Sequence, residues 1–245
     1  MREALEKYAP VKVVSIVNGE TSTGALQPIP EIAEVVHAAG ALLLVDAVTT
    51  LGGVPVLIDE WGVDACYSGS QKCLSCPPGL SPVTFGPAAR AVMAQRKRPV
   101  QSFYLDMDLL GRYWGKERQY HHTIPINMLY GLHEALTLVL QEGLEERWAR
   151  HLAQHQALKA GVKALGLSLT ADPDHLLPSL NVIAAPEGVD EAVVRKQLLD
   201  GYGIEIGGGL GLLKGKAWRI GLMGESARPE KVTRLLAALK AILEG

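Results

Sequence analysis

Leu42-Leu43-Leu44-Val45-Asp46 and Tyr67-Ser68-Gly69-Ser70-Gln71-Lys72 are the two stretches that decide the fold. Each is a β-prone run ending in one charged residue, and its flanking residues leave it little option but a buried parallel strand. Ahead of the first, Pro30-Glu31 opens a helix with Ile32, Val35, Val36 and Ala39 on one face, and Gly40 ends it. Residues 11–17 read as a strand before that helix and 41–46 as the strand after it. This is a βαβ unit and implies a parallel sheet in an α/β fold.

Further along, 51–55 make a Gly-rich turn, 56–58 read as a short strand, and 63–68 as the strand that delivers Gln71 and Lys72. Cys76-Pro77-Pro78-Gly79 can continue neither a helix nor a central strand, so Lys72 is expected in a rigid turn with 82–86 as a returning strand. A short helix is expected over 87–95. Residues 97–120 read as irregular and aromatic-rich, with Phe103, Tyr104, Tyr113, Trp114 and Tyr120. Leu129, Leu132, Leu136, Val139 and Leu140 recur at helical spacing, predicting one or two long helices over 125–160.

That helical stretch reads as a hinge. The organisation expected is a large domain over 1–125, a linking helix over 126–150 and a smaller α+β domain over 151–245. In the small domain we expect strands at 167–170, 180–184, 203–206 and 217–222, with helices through 165 and over 190–199 and 229–243.

The totals narrow the function. With 245 residues, 48% of them hydrophobic, the chain can bury a large core. Its formal charge of -2 sets up no general field for nucleic acid or an anionic membrane, which points to small-molecule chemistry. Three cysteines, an odd count without a disulfide framework, fit a reducing cytosol. No apolar run reaches the ~18 residues a membrane helix needs, so a soluble cytoplasmic protein is expected.

Lys72 and Asp46 carry the chemical reading. A lysine after an apolar strand and hemmed by prolines is poorly placed to reach water; burial disfavours its charge, and the neutral amine is the form that condenses with an aldehyde. An aspartate after Leu-Leu-Leu-Val, with no helix pattern starting at once, is costly to bury unless a cation faces it. A pyridine aldehyde satisfies both, binding the amine at one end and offering a protonated ring nitrogen at the other. The duller alternatives are a surface lysine and a helix-capping aspartate.

Other candidates are weighed the same way. Arg219 lies inside a predicted strand and suits bidentate capture of a carboxylate; the alternative is a structural ion pair. Gly207-Gly208-Gly209-Leu210-Gly211 fits no phosphate-loop spacing and reads as a flexible loop closing over substrate beside Arg219. Cys73 and Cys76 lack the second pair that a zinc site needs. His151 and His155 fit a solvated helix face, and the adjacent His121 and His122 point to opposite sides of an extended segment. No metal site is expected.

These residues resemble, over nearly the whole chain, the class V aminotransferases of the alanine–glyoxylate and serine–pyruvate type. The match rests on Gly19-Glu20-Thr21-Ser22-Thr23-Gly24, Val45-Asp46-Ala47-Val48, Tyr67-Ser68-Gly69-Ser70-Gln71-Lys72 and Pro77-Pro78-Gly79. It continues through Tyr120-His121-His122-Thr123-Ile124-Pro125, Glu205-Ile206, Gly208-Gly209-Leu210-Gly211 and Arg219-Ile220-Gly221.

The resemblance implies the type I fold of pyridoxal-phosphate-dependent transferases: a mostly parallel large domain, N-terminally incomplete, and a smaller α+β C-terminal domain. It implies that Lys72 carries pyridoxal 5'-phosphate as a Schiff base and that Asp46 pairs with its pyridine nitrogen. Val48 would pack on the ring, Thr21 would sit near its phenolic oxygen and Gln71 would touch the phosphate. Tyr120 and Thr123 would reach the phosphate of the neighbouring subunit in a homodimer with shared active sites. Arg219 would hold the substrate carboxylate. The activity implied moves an amino group from alanine or serine to glyoxylate or pyruvate.

Members of the family carry on the order of a hundred further residues ahead of Met1, enough for much of a cofactor domain. That portion includes a phosphate-binding glycine loop and the aromatic that stacks on the ring, for which none of Trp61, Trp114, Trp148 or Trp218 is an obvious substitute. A fragment or truncated reading frame is the expectation. Two rivals follow: a lyase or cysteine desulfurase on the same cofactor, though such enzymes usually place histidine where Gln71 stands, and a non-catalytic dimerising or binding module.

Overall fold

The computed structural model describes all 245 residues. The elements, in chain order, begin with helix α1 (Arg2–Lys7), strand β1 (Val13–Val17), the short strands β2 (Gly19–Glu20) and β3 (Ala25–Leu26), and helix α2 (Ile29–Ala38). Strands β4 (Leu42–Asp46), β5 (Ala65–Tyr67) and β6 (Val83–Phe85) follow, then helices α3 (Pro87–Ala94), α4 (Met107–Trp114), α5 (Ile126–Glu142) and α6 (Leu144–Ala164). The chain closes with β7 (Leu180–Ala184), α7 (Glu191–Tyr202), β8 (Gly207–Gly208), β9 (Ala217–Gly221) and α8 (Pro229–Glu244).

The first sheet runs in the order β1-β4-β5-β6. β1, β4 and β5 are parallel, with Val17 opposite Asp46 and Asp46 opposite Tyr67, and β6 returns antiparallel to β5. The period of two in β4 turns Leu43 and Val45 inward, where they pack with Ile29, Ile32, Ala33 and Val36 of α2. Pro30 and Glu31 lie in the first turn of α2, and Gly40 leaves its end at a φ of 71°, a conformation only glycine adopts cheaply.

A second sheet, β7-β9-β8, is antiparallel throughout. It packs on α6, α7 and α8 through Leu158, Val162, Ile183, Leu198, Trp218 and Leu239, each essentially fully buried and worth roughly 1.5–3 kcal/mol in removed apolar surface. α7 begins where the Asp190 carboxylate accepts the N–H groups of Ala192 and Val193, and ends at the left-handed Gly203.

Several expected elements are displaced. Residues 56–58 form no strand, because Pro55 and the turn at 58–62 take that segment out of the sheet. Residues 97–120 are not wholly irregular: Asp106 accepts the N–H groups of Asp108 and Leu109 and so starts α4. The 125–160 stretch is two helices broken at Gly143, which sits at φ 86°. Residues 167–170 meet β7 only by a bridge from Leu169 to Ile183, and the strand expected at 203–206 forms later, at Gly207–Gly208, opposite Arg219 and Trp218. No helix is long and apolar enough to cross a membrane.

Candidate active site

Two loops leave the carboxyl ends of β4 and β5 side by side. In the first, Asp46 is half-buried and its Oδ1 accepts the Val48 N–H at 2.8 Å, closing a local turn. In the second, Tyr67 stands opposite Asp46 in register, and its hydroxyl donates to Asp46 Oδ2 at 2.7 Å. That bond to a carboxylate pushes the Tyr67 phenol up to about 12, so it stays a donor at any working pH. The sequence reading assigned Tyr67 no role. The signal it carried was its position at the end of β5, level with Asp46.

The loops are stitched together beyond the strands. The Ala47 N–H donates to Tyr67 O at 2.8 Å, and Ser68 Oγ donates back to Ala47 O at 3.0 Å. Gly69 is tightly surrounded: a Cβ there would stand 2.7 Å from Gln71 Oε1 and 3.4 Å from Val48 Cγ1. A side chain there would displace the end of Gln71 from its place beside Val48.

Lys72 heads a closed turn. Its carbonyl accepts the Ser75 N–H at 3.0 Å, Ser70 O accepts the Cys76 N–H at 3.1 Å, and Ser70 Oγ donates to Pro77 O at 2.7 Å. The turn is held firmly, as its prolines predicted. Lys72 itself, however, is half-buried, not enclosed, and Gln71 is exposed. The expectation that Asp46 is a buried charge awaiting a cation is likewise only partly met: it is half-open, and two neutral donors already serve it.

Thr21 follows β2 in the turn at 21–24 and is half-buried. It leaves the first sheet at the same carboxyl edge, since Val17 stands beside Asp46 and the Asn18 N–H donates to Asp46 O at 2.9 Å. Nearby, Asn18 Oδ1 and Thr50 Oγ1 are buried without a partner. Tyr120 and Thr123 are exposed, and their hydroxyls bond to each other at 3.0 Å. No bond ties them to Lys72 or Asp46.

Arg219 lies on β9 and is half-buried, with Nε donating to Gly208 O at 2.7 Å. It takes part in no ion pair, so the structural-pair alternative fails and the outer nitrogens of its fork have no protein acceptor. The glycine run beside it is not a free loop: Gly207–Gly208 is the edge strand β8, and a short 3-10 turn spans Gly211–Leu213.

The histidine readings need correction. His151 and His155 do not lie on a solvated face; they are buried where α6 meets the second sheet and its flanking loops. His151 Nε2 accepts the Gly224 N–H at 2.9 Å, and burial pushes its ring down to about 4, so it is neutral. His155 Nδ1 pairs with Asn181 Oδ1 at 2.6 Å. His121 and His122 do not point apart either: their Nδ1 atoms lie 2.8 Å from each other, because His121 is drawn in against Phe103, ring centroids 4.2 Å apart. No three His, Cys, Asp or Glu side chains are grouped to hold a metal.

The family model for class-V aminotransferases matches residues 2–215. The (S)-ureidoglycine–glyoxylate transaminase of Bacillus subtilis (strain 168) is 43% identical over 257 residues, covering 98% of this chain and 62% of that protein. The alanine–glyoxylate aminotransferase of Callithrix jacchus is 42% identical over 248 residues, covering 100% of this chain and 60% of that protein. Among solved structures, the alanine–glyoxylate aminotransferase of Nostoc sp. superposes with a TM-score of 0.95 at 49% identity, over 99% of this chain and 64% of that one. The chain thus spans about three fifths of the length of the curated relatives it matches. Its architecture is the type I fold of the pyridoxal-phosphate-dependent transferases. With adjacent strand ends delivering Asp46 and Lys72, and a family match over most of its length, the chain belongs to the class V aminotransferases.

Proposed function

We propose that this protein is a pyridoxal-phosphate-dependent transaminase that moves an amino group from a small amino acid, alanine or serine, to a small 2-oxoacid. The observation that carries the reading is the side-by-side departure of the Asp46 and Lys72 loops from neighbouring parallel strands. Ligands of open α/β sheets bind at such carboxyl edges. Two of the relatives are named for glyoxylate, which favours that acceptor over pyruvate.

The residues present fit the cofactor. Asp46 has no protein cation within ion-pair reach, and Lys72 makes no hydrogen bond or ion pair that would occupy its amine. When bound, pyridoxal phosphate supplies an aldehyde that takes up amines and a ring that stores the electrons of a deprotonated Cα. Asp46 would keep a proton on the ring nitrogen, Val48 would pack on the ring, Thr21 would face its phenolic oxygen and Gln71 would meet the phosphate. Arg219 would grip the substrate carboxylate with the outer nitrogens of its fork. Lys72 Nζ would then take the proton from the substrate Cα as general base and, as general acid, deliver it to the carbon that had been the aldehyde.

The same reading takes residues 1–125 as the cofactor lobe, 126–150 as the link and 151–245 as the small domain, supported by two separate apolar cores. It makes the protein a homodimer in which Tyr120 and Thr123 serve the neighbouring subunit's cofactor; their exposure supports this. Three unpaired, buried cysteines support a reducing, cytoplasmic setting. They do not favour the desulfurase alternative, because burial pushes the Cys66 and Cys73 thiols up to about 11, far from the thiolate such chemistry needs.

The test is to add pyridoxal phosphate to the purified chain and to its Lys72→Ala variant and record absorbance and turnover. A visible band that the variant lacks is expected. A band that survives Lys72→Ala, or release of sulfide from cysteine in place of transamination, sinks the reading.

A further inference from the structure

Arg147, on the first turns of α6, is almost completely buried, yet its fork is directed at main chain. Nε donates to Gly52 O at 3.0 Å and Nη2 to Cys73 O at 2.6 Å, while Nη1 pairs with Glu142 at 2.6 Å. Gly52 belongs to the loop that follows Asp46, and Cys73 is the residue after Lys72. The same two loops meet directly as well: Cys73 Sγ donates to Thr49 O at 3.3 Å, and a Cβ at Gly53 would stand 2.5 Å from that sulfur. Glu142 is also gripped through both oxygens by Arg150.

We propose that Arg147 is a positioning residue for the transamination chemistry, fixing Lys72 relative to Asp46 by clasping the carbonyls of Cys73 and Gly52 with one guanidinium. The proposal rests on the function inferred above for Lys72 and Asp46. A planar fork meets two separate carbonyls in fixed directions from two of its nitrogens; an ammonium of equal charge has all its donors on one rotatable atom and fixes neither direction. The clasp therefore sets the spacing of the amine and the carboxylate, not merely the stability of the lobe.

The experiment compares Arg147→Lys with Arg150→Lys in the full chain. Arg150 binds Glu142, Gly224 O and Ala227 O and donates to neither loop, so it controls for loss of the shared ion-pair network; because the segment it holds meets the Lys72 turn where the Glu225 N–H donates to Ser75 Oγ at 3.0 Å, Ser75 is left out of the comparison. Two readouts are taken: the pH titration of the absorbance of the Lys72–pyridoxal phosphate adduct, and amide hydrogen exchange over residues 70–78. Arg147→Lys is expected to move the titration midpoint by about half a pH unit or more and to speed exchange at Cys76, whose N–H donates to Ser70 O, roughly tenfold, with Arg150→Lys leaving both in place.

Equal behaviour of the two variants overturns the proposal. If the unaltered chain forms no adduct, the cofactor reading falls, and the exchange comparison still decides whether Arg147 holds the turn. Should Arg147→Lys fail to fold, Gly53→Ala displaces the same turn through the Cys73 sulfur without touching a charge. A folded Gly53→Ala with an unmoved titration midpoint also overturns the proposal.

Discussion

Tyr67 and Asp46 stand opposite one another at the ends of two parallel strands, and the tyrosine hydroxyl donates to the carboxylate at 2.7 Å. With the Val48 N–H on the other oxygen, the carboxylate is held in one orientation by donors from both loops. Such a carboxylate is pre-organised for a single cationic partner, which lowers the ordering cost of binding.

Tyr67→Phe removes one of those donors and leaves the ring in place. A hydrogen bond to a charged group is worth about 1.5–3 kcal/mol, so pyridoxal phosphate should bind roughly ten- to a hundredfold more weakly. Equilibrium dialysis with the cofactor checks this, and an unchanged dissociation constant contradicts it.

Arg219→Lys keeps the charge but loses the fork. The KM for the amino acid is expected to rise at least about tenfold, while the absorbance of bound cofactor stays as it was. Steady-state kinetics with alanine varied at fixed glyoxylate separates the two effects.

Acid should destabilise the packing around α5 and α6 in two stages. His151 is neutral and held down to about 4 by burial, so the unfolded chain binds its proton first; that stability is present above about pH 6.5 and lost as pH falls towards 4. Glu142 is held down to about 2, chiefly by its bond from Arg150, and its contribution disappears between about pH 4.5 and 2. Each shift corresponds to roughly 3 kcal/mol at most. Urea unfolding at pH 7.5, 5 and 3 should show both losses, and Glu142→Gln should flatten the lower one.

Cys66 and Cys73 should resist alkylation. With burial raising both thiols to about 11, iodoacetamide at pH 8 is expected to modify neither in the folded chain and both in urea. Mass spectrometry of the digested protein gives the answer directly.

Leu43→Ala tests the first core. Leu43 is fully buried between β4 and α2, so the loss should be about 2–5 kcal/mol in denaturant unfolding.

What the chain disclosed in advance follows from how local the causes are. β4 and α2 were legible because a period of two and a period of 3.6 each point at one core, with Pro30 and Gly40 marking the helix ends. The Lys72 turn was legible because prolines restrict the backbone wherever they stand. Buried histidines were not: His151 and His155 are polar in sequence, and only Gly224 and Asn181, brought up from far along the chain, make their burial affordable. Tyr67 escaped for the same reason, since its partner lies on the neighbouring strand. Arg147 carried no local signal, because its carbonyl partners are 74 and 95 residues away.

Because that guanidinium holds main-chain oxygens, its grip is indifferent to the identity of the residues whose carbonyls it takes. Descendants of this protein could revise the outward side chains of either loop, and with them the choice of substrate, without renegotiating the contact that keeps amine and acid in step. A heritable arrangement of this kind separates what may drift from what must stay put.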